Sequence, residues 1–272
     1  ILFMGCADVS GVARPIIGKI MKNLLRKLIN WNIRLSQAFD QILPEKYRID
    51  GNRFFIEKFA PSYISHGLKI YDIGGGKQPY ITVDNKKALA LNITGLDIDQ
   101  RELNQAPQQA YDQKICADIT QFRGQSDADL VICQALLEHV KHVDQAFAAI
   151  ASILKPDGLA LIFVPSRNAL YARLNLLLPQ GLKKAILHTI YPKTRQAQGF
   201  PSYYDQCTPR DFRRLAQKNN LHVEKESFHY ISSYFSFFFP CYLFWRFWIL
   251  SFHAVAGEQA AETFCMALRK NL

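Results

Sequence analysis

The sequence lacks any C-x-x-C pair: its six cysteines, at positions 6, 116, 133, 207, 241 and 265, are scattered. This excludes a zinc ribbon or a disulfide framework, so no metal is expected, and it predicts free thiols in a reducing, cytoplasmic compartment. Internal repeats and low-complexity linkers are also missing from the 272 residues. That rules out a solenoid and leaves one domain with additions. Acidic residues are few, 23 against 33 basic, for a net charge of +10. Nor is there a long unbroken apolar run: the nearest, residues 230–252, contains Pro240 and Arg246. An arginine at the bilayer centre costs about 2.5–3.5 kcal/mol, which argues against a span there. After Met4-Gly5-Cys6 the hydroxyl that an acylation start requires comes one place late, at Ser10.

The phrase Tyr71-Asp72-Ile73-Gly74-Gly75-Gly76-Lys77-Gln78-Pro79 follows apolar Leu68 and Ile70. It reads as a strand turning sharply into a glycine loop. A dinucleotide fingerprint needs a third glycine where this chain has Pro79, which removes an amide and blocks close backbone approach. Asp72, two residues before the first glycine, suits a ligand with a cationic amino group better than a pyrophosphate. Further strands ending in polar residues are expected at 91–99, 115–118 and 129–134, and a fifth at 159–164. Such a series describes a parallel sheet with its ligand across the strand C-termini. Strands at 221–228 and 262–268 are expected to pair antiparallel. Between the first two strands, Ile81-Thr82-Val83 makes 80–88 a poor helix, so an irregular connection is predicted.

Leu136-Leu137-Glu138-His139-Val140 and Leu154-Lys155-Pro156-Asp157-Gly158 complete the pattern. Together with the glycine loop and the spaced acids, they resemble the class I S-adenosylmethionine-dependent methyltransferases. The likeness is to the small-molecule, quinone-pathway type with its "LEHV … LKPGG" phrase, and it covers about residues 69–166. It implies an α/β fold: a Rossmann-like, seven-stranded, mostly parallel sheet with an antiparallel last strand, plus helical N-terminal and inserted segments. The implied cofactor is S-adenosyl-L-methionine. The resemblance places Asp72, Gly74 and Gly76 at its methionine end and Asp97, with Ile98, at the ribose hydroxyls. Asp118 and Ile119 fall at the adenine, and Gln134 is a further donor contact. Glu138 and His139 are the candidate catalytic residues, His139 being the better base by its ordinary pKa near 6.5. The structural alternative has Glu138 capping a turn and His139 shaping the pocket. His142, Tyr204 and Asp205 rank behind them.

Charge is distributed unevenly. Residues 61–167 carry a net −2, whereas residues 1–60 carry +5 and 168–272 carry +7. The natural division is a basic, amphipathic, helical segment over 1–60 and a methyltransferase domain over 61–272. A helix is predicted over 15–39, with Ile17, Ile20, Leu24, Leu28, Trp31, Leu35 and Phe39 on one face. That face either packs on the domain or meets lipid headgroups. An insertion at about 168–207 is the expected acceptor lid. The aromatic segment 230–257 lies between two paired strands, so it must leave and return on one side. It is read as a membrane-facing or lipid-substrate surface, with an acceptor-pocket wall or a dimer interface as alternatives. Arg246 is expected to snorkel toward headgroups.

The resulting expectation is a peripheral-membrane methyltransferase acting on a hydrophobic or lipid-linked small molecule. An RNA methyltransferase remains an alternative, although the aromatics lack the interleaved Lys and Arg that hold single strands and so argue against nucleic acid. A non-catalytic scaffold on the same fold is the other alternative.

Overall fold

The computed structural model describes residues 10–178, 201–232 and 234–272, with side chains from residue 21 onward, Lys22 excepted. Helix α1 (Ser10–Gln41) leads through the short α2 (Gly51–Phe54) to β1 (Lys69–Ile73). Then follow α3 (Val83–Ala88), β2 (Asn92–Asp97), α4 (Gln100–Asn104), β3 (Gln113–Cys116) and β4 (Ala128–Gln134). Helix α5 (Val143–Ile153) runs directly into β5 (Leu154–Pro165), followed by α6 (Leu170–Leu177). The chain closes with α7 (Pro209–Lys218), β6 (Leu221–His229), α8 (Phe239–Ala256) and β7 (Thr263–Lys270). The strands form one seven-stranded sheet in the order β3-β2-β1-β4-β5-β7-β6. Pairing is parallel from β3 through β5, and β7 is antiparallel to both of its neighbours.

Strand periodicity sorts the core into two layers, since successive side chains point to opposite faces. In β4, Val131 and Cys133 join the layer under α5 and α7, with Phe147, Ile150 and Phe212. Leu130 and Ile132 join the opposite layer, with Phe55 and Phe59. Both faces are therefore covered, which is why the central strands read as continuous apolar runs.

The order reverses between β1 and β4, so their following loops diverge and leave a crevice at the strand C-termini. The expected weak helix after β1 is real but short. It starts only at Val83, where the Thr82 hydroxyl accepts the Asn85 N–H and caps it. Of the insertion expected as an acceptor lid at about 168–207, residues 179–200 lie outside the described residues, while α6 and residues 201–207 are described.

The expectation for Arg246 is overturned. The side chain is fully buried, not snorkelling, and pairs with Asp40 of α1 at 2.6 Å. It also donates to the Tyr230 and Tyr47 carbonyls, both at 2.8 Å, and Tyr242 donates to the other Asp40 oxygen. The reason is that α8 has a partner for this charge across the helix interface, which a reading of residues 230–252 alone does not reveal. No helix among the described residues is long and apolar enough to cross a membrane.

Candidate active site

The strand ends and their loops enclose a cavity of about 720 Å³. Its floor is the end of β1 and β2 with Gly74 and Asp97; one wall is Asp118 and Ile119, and the other is Leu136 and His139. The glycine loop approaches it closely. Gly74 has φ +79°, and a Cβ there would lie 2.9 Å from Leu136, so both conformation and space require glycine. Gly76, at φ +49°, packs so that a Cβ would stand 3.0 Å from an Asp97 oxygen.

Beneath the loop, Asp72 is buried at 4 % exposure. Its Oδ2 accepts the Tyr80 N–H at 2.8 Å and faces the Tyr111 hydroxyl at 3.3 Å. Burial pushes its pKa up to about 6, against the pull of those two hydrogen bonds. Asp72 thus pins both ends of the loop from below and does not line the cavity.

Asp97 does line it. Its Oδ1 accepts the Asp99 N–H at 2.9 Å, and no cation pairs with it among the described residues. Desolvation raises its pKa, so a pair of hydroxyl donors would stabilise the charged form. Asp99, two residues on, is tied to Arg101 at 2.8 Å and caps α4, and that side-chain bond draws its pKa down to about 2. The half-buried carboxylate and the glycine cradle therefore fit a ribose-bearing ligand of cofactor size.

The remaining expected contacts divide. Ile98, Asp118 and Ile119 line the cavity, whereas Gly76 and Gln134 are not among its lining residues. Gln134 donates to Asn52 at 2.8 Å and so ties β4 to α2. Asp118 holds its own turn through the Thr120 N–H and hydroxyl, both at 2.9 Å.

Glu138 and His139 sit on one turn but face different environments. Glu138 is 4 % exposed; burial pushes its pKa up to about 8, and its Oε2 has no hydrogen-bond partner among the described residues. Its main-chain carbonyl accepts the Tyr203 and Tyr204 N–H groups at 2.7 and 3.0 Å. His139 lines the cavity, with Nδ1 3.0 Å from the Pro201 carbonyl. A carbonyl oxygen only accepts, so Nδ1 carries the proton and Nε2 is the basic nitrogen of the neutral ring. Of the second-rank candidates, His142 lines the cavity, Tyr204 is buried, and Asp205 accepts the Val143 N–H that begins α5.

Pro201 and Tyr203 reach the cavity from within the insertion expected at 168–207, although nothing in their local sequence singles them out. Tyr111 left one trace: Gly95, inside β2, where any Cβ would fall 2.8 Å from the Tyr111 ring. A glycine within a strand signals such close approach.

Comparison with known proteins agrees with this geometry. Residues 71–162 match the model of a methyltransferase domain. A ubiquinone biosynthesis O-methyltransferase of Cupriavidus pinatubonensis is 25 % identical over 162 residues, 57 % of this chain and 60 % of the relative. The one from Colwellia psychrerythraea is 30 % identical over 110 residues, 38 % and 43 % of the two chains. The match thus spans less than two thirds of these relatives' own lengths. Among solved structures, an S-adenosylmethionine-dependent methyltransferase from Mesorhizobium loti superposes with a TM-score of 0.50 at 15 % identity, covering 77 % of this chain and 95 % of that one. The [4+2]-cyclase SpnF does so equally, TM-score 0.50 at 15 % identity, covering 85 % and 87 %. The fold alone therefore does not fix a reaction. It is the match over residues 71–162, together with the glycine loop and the acid at the end of β2, that identifies this part of the chain as a methyltransferase domain resembling the class I S-adenosylmethionine-dependent enzymes.

Proposed function

We propose that the chain transfers a methyl group from S-adenosyl-L-methionine to a hydrophobic or lipid-linked small molecule at the cytoplasmic surface of a membrane. The observation that carries this reading is the continuity of the cavity: Gly74, Asp97 and Asp118 share one volume with His139, His142 and Tyr203. In that volume Asp97 would hold the ribose hydroxyls, Asp118 and Ile119 the adenine, and the Gly74–Gly76 loop the methionine end, with Asp72 fixing the loop and Gln134 supporting β4. Bound there, the cofactor supplies a methyl group on a positively charged sulfur. The chain's own part is mostly to hold donor and acceptor in line. Where the acceptor loses a proton, His139 Nε2, 3.8 Å from Glu138 Oε1, would take it, with Nδ1 held by the Pro201 carbonyl. Glu138, buried and held neutral, supports the turn. A hydrophobic acceptor is supported by the similarity to ubiquinone biosynthesis O-methyltransferases. Large apolar side chains exposed on α1, α6 and α8 support it too.

The test is incubation of the purified chain with methyl-labelled cofactor and whole-cell extract, followed by partition into organic, aqueous, nucleic-acid and protein fractions. Label is expected in the organic fraction. Asp97→Ala should weaken cofactor binding by about 1–3 kcal/mol, the cost of unmaking a hydrogen-bonded charged contact. Label in the nucleic-acid or protein fraction would refute the acceptor class. With the acceptor in hand, His139→Gln should slow transfer by about 10²–10⁴-fold at unchanged cofactor affinity. An unchanged rate would leave His139 only shaping the pocket.

A further inference from the structure

Helices α1 and α8 bury polar groups between them and leave large apolar side chains exposed. Leu24, Leu28, Asn32, Ser36 and Asp40, spaced by four, form one ridge along α1. Its polar members are the buried ones. Asn32 Oδ1 accepts the Phe239 N–H at 2.9 Å, Ser36 donates within the helix to the Asn32 carbonyl at 3.0 Å, and Asp40 pairs with Arg246. The apolar members, Leu24 and Leu28, are 60 % and 54 % exposed, and Met21, Leu25 and Trp31 beside them are likewise exposed. Helix α8 buries Arg246 beside Tyr242, Trp245 and Ile249, while Phe244, Phe247 and Trp248 face out. The two apolar faces meet where Phe39 stands edge-on to Phe247, ring centroids 6.4 Å apart. A contiguous face of this kind differs from scattered surface hydrophobes and calls for a covering partner.

Charge selects the partner. In the sequences of α1 and α8 the single carboxylate is Asp40, which is buried. Arg26, Lys27 and Arg34 are all exposed on α1. An apolar, aromatic face with cationic margins and no exposed acid complements acyl chains beneath anionic headgroups. A second copy would bring these same cations together with no carboxylate to offset them. We propose that the α1–α8 face docks on an anionic phospholipid bilayer, with residues 21–31 and the aromatic side of α8 entering the headgroup region. This rests on the membrane-surface part of the proposed function and names the surface and the lipid charge it requires.

The test is co-sedimentation of the full chain with vesicles of phosphatidylcholine alone and of phosphatidylcholine mixed with phosphatidylglycerol. Binding is expected to the mixed vesicles only and to weaken with salt. Arg26→Glu with Lys27→Glu should reduce it by about tenfold or more. Leu28→Ser with Phe244→Ser, both at exposed positions, should abolish it at unchanged Tm. Absence of binding to the mixed vesicles overturns the proposal, as does equal binding to both kinds. So does a dimer, seen by light scattering and dispersed by the serine variant, in a chain that ignores vesicles. Because sedimentation needs no methyl transfer, this proposal and the acceptor assignment can fail separately.

Discussion

Arg246→Met is expected to lower the unfolding free energy by about 3–5 kcal/mol, read from urea denaturation, because it strands the buried Asp40 carboxylate without a partner. Asp40 is 6 % exposed, and the guanidinium is wholly buried. The two carry no water-facing side on which a lone charge could be solvated. The double variant Arg246→Met with Asp40→Leu should recover a large part of the loss, since replacing both members of such a pair by apolar groups is often close to neutral. Recovery should stay incomplete, because the Tyr47 and Tyr230 carbonyls still lose their donor. A loss below about 1 kcal/mol for the single variant would be the value of an exposed pair. It would mean that α1 does not seal this interface in solution.

Glu138→Gln should flatten part of the dependence of stability on pH. Burial raises the folded-state pKa from 4.5 to about 8, so between those values the folded chain keeps a proton that the unfolded chain releases. Stability from this group is therefore full below about pH 4.5 and falls as pH rises through about 8, the opposite of an ion-paired carboxylate. Above that, the variant should exceed the parent by a few kcal/mol, on the order of 3–5 for such a shift. Asp72 and Glu262, raised to about 6 and about 7, slope the same way in both proteins, so the readout is the difference between the two curves. Denaturation at about pH 5 and about pH 9 measures it. Parallel curves would show that Glu138 is solvated in the folded chain.

The sheet and the crevice at its strand ends are legible because they rest on local patterns. A strand ending in Asp72 before Gly74 and Gly76, and another ending in Asp97, each carry their meaning within a few residues. The antiparallel pairing of the last two strands followed from the same reasoning and is what the sheet has. What escaped was pairing across long separations. Arg246 read as a membrane-interface cation because its partner lies 206 residues earlier in the chain. Asp72 read as a ligand contact because the groups that occupy it, Tyr80 N–H and the Tyr111 hydroxyl, come from the loop's far end and from beyond β2. His139 could be picked out by type, but the proton on its Nδ1 is fixed by Pro201, 62 residues away.

The place of β7 also governs the order in which this molecule can assemble. Strand β6 touches the sheet only through β7, which wedges between it and β5. Until residues 263–270 are in register along β5, β6 has no edge to join, and α8, strung between the two strands, has no fixed anchor at its C-terminal end. Closing such non-local pairings is slow compared with local structure. The packing of α8 at its C-terminal end therefore depends on the β5–β7 pairing, whereas the crevice between β1 and β4 is built from strands that need neither β6 nor β7 as a neighbour.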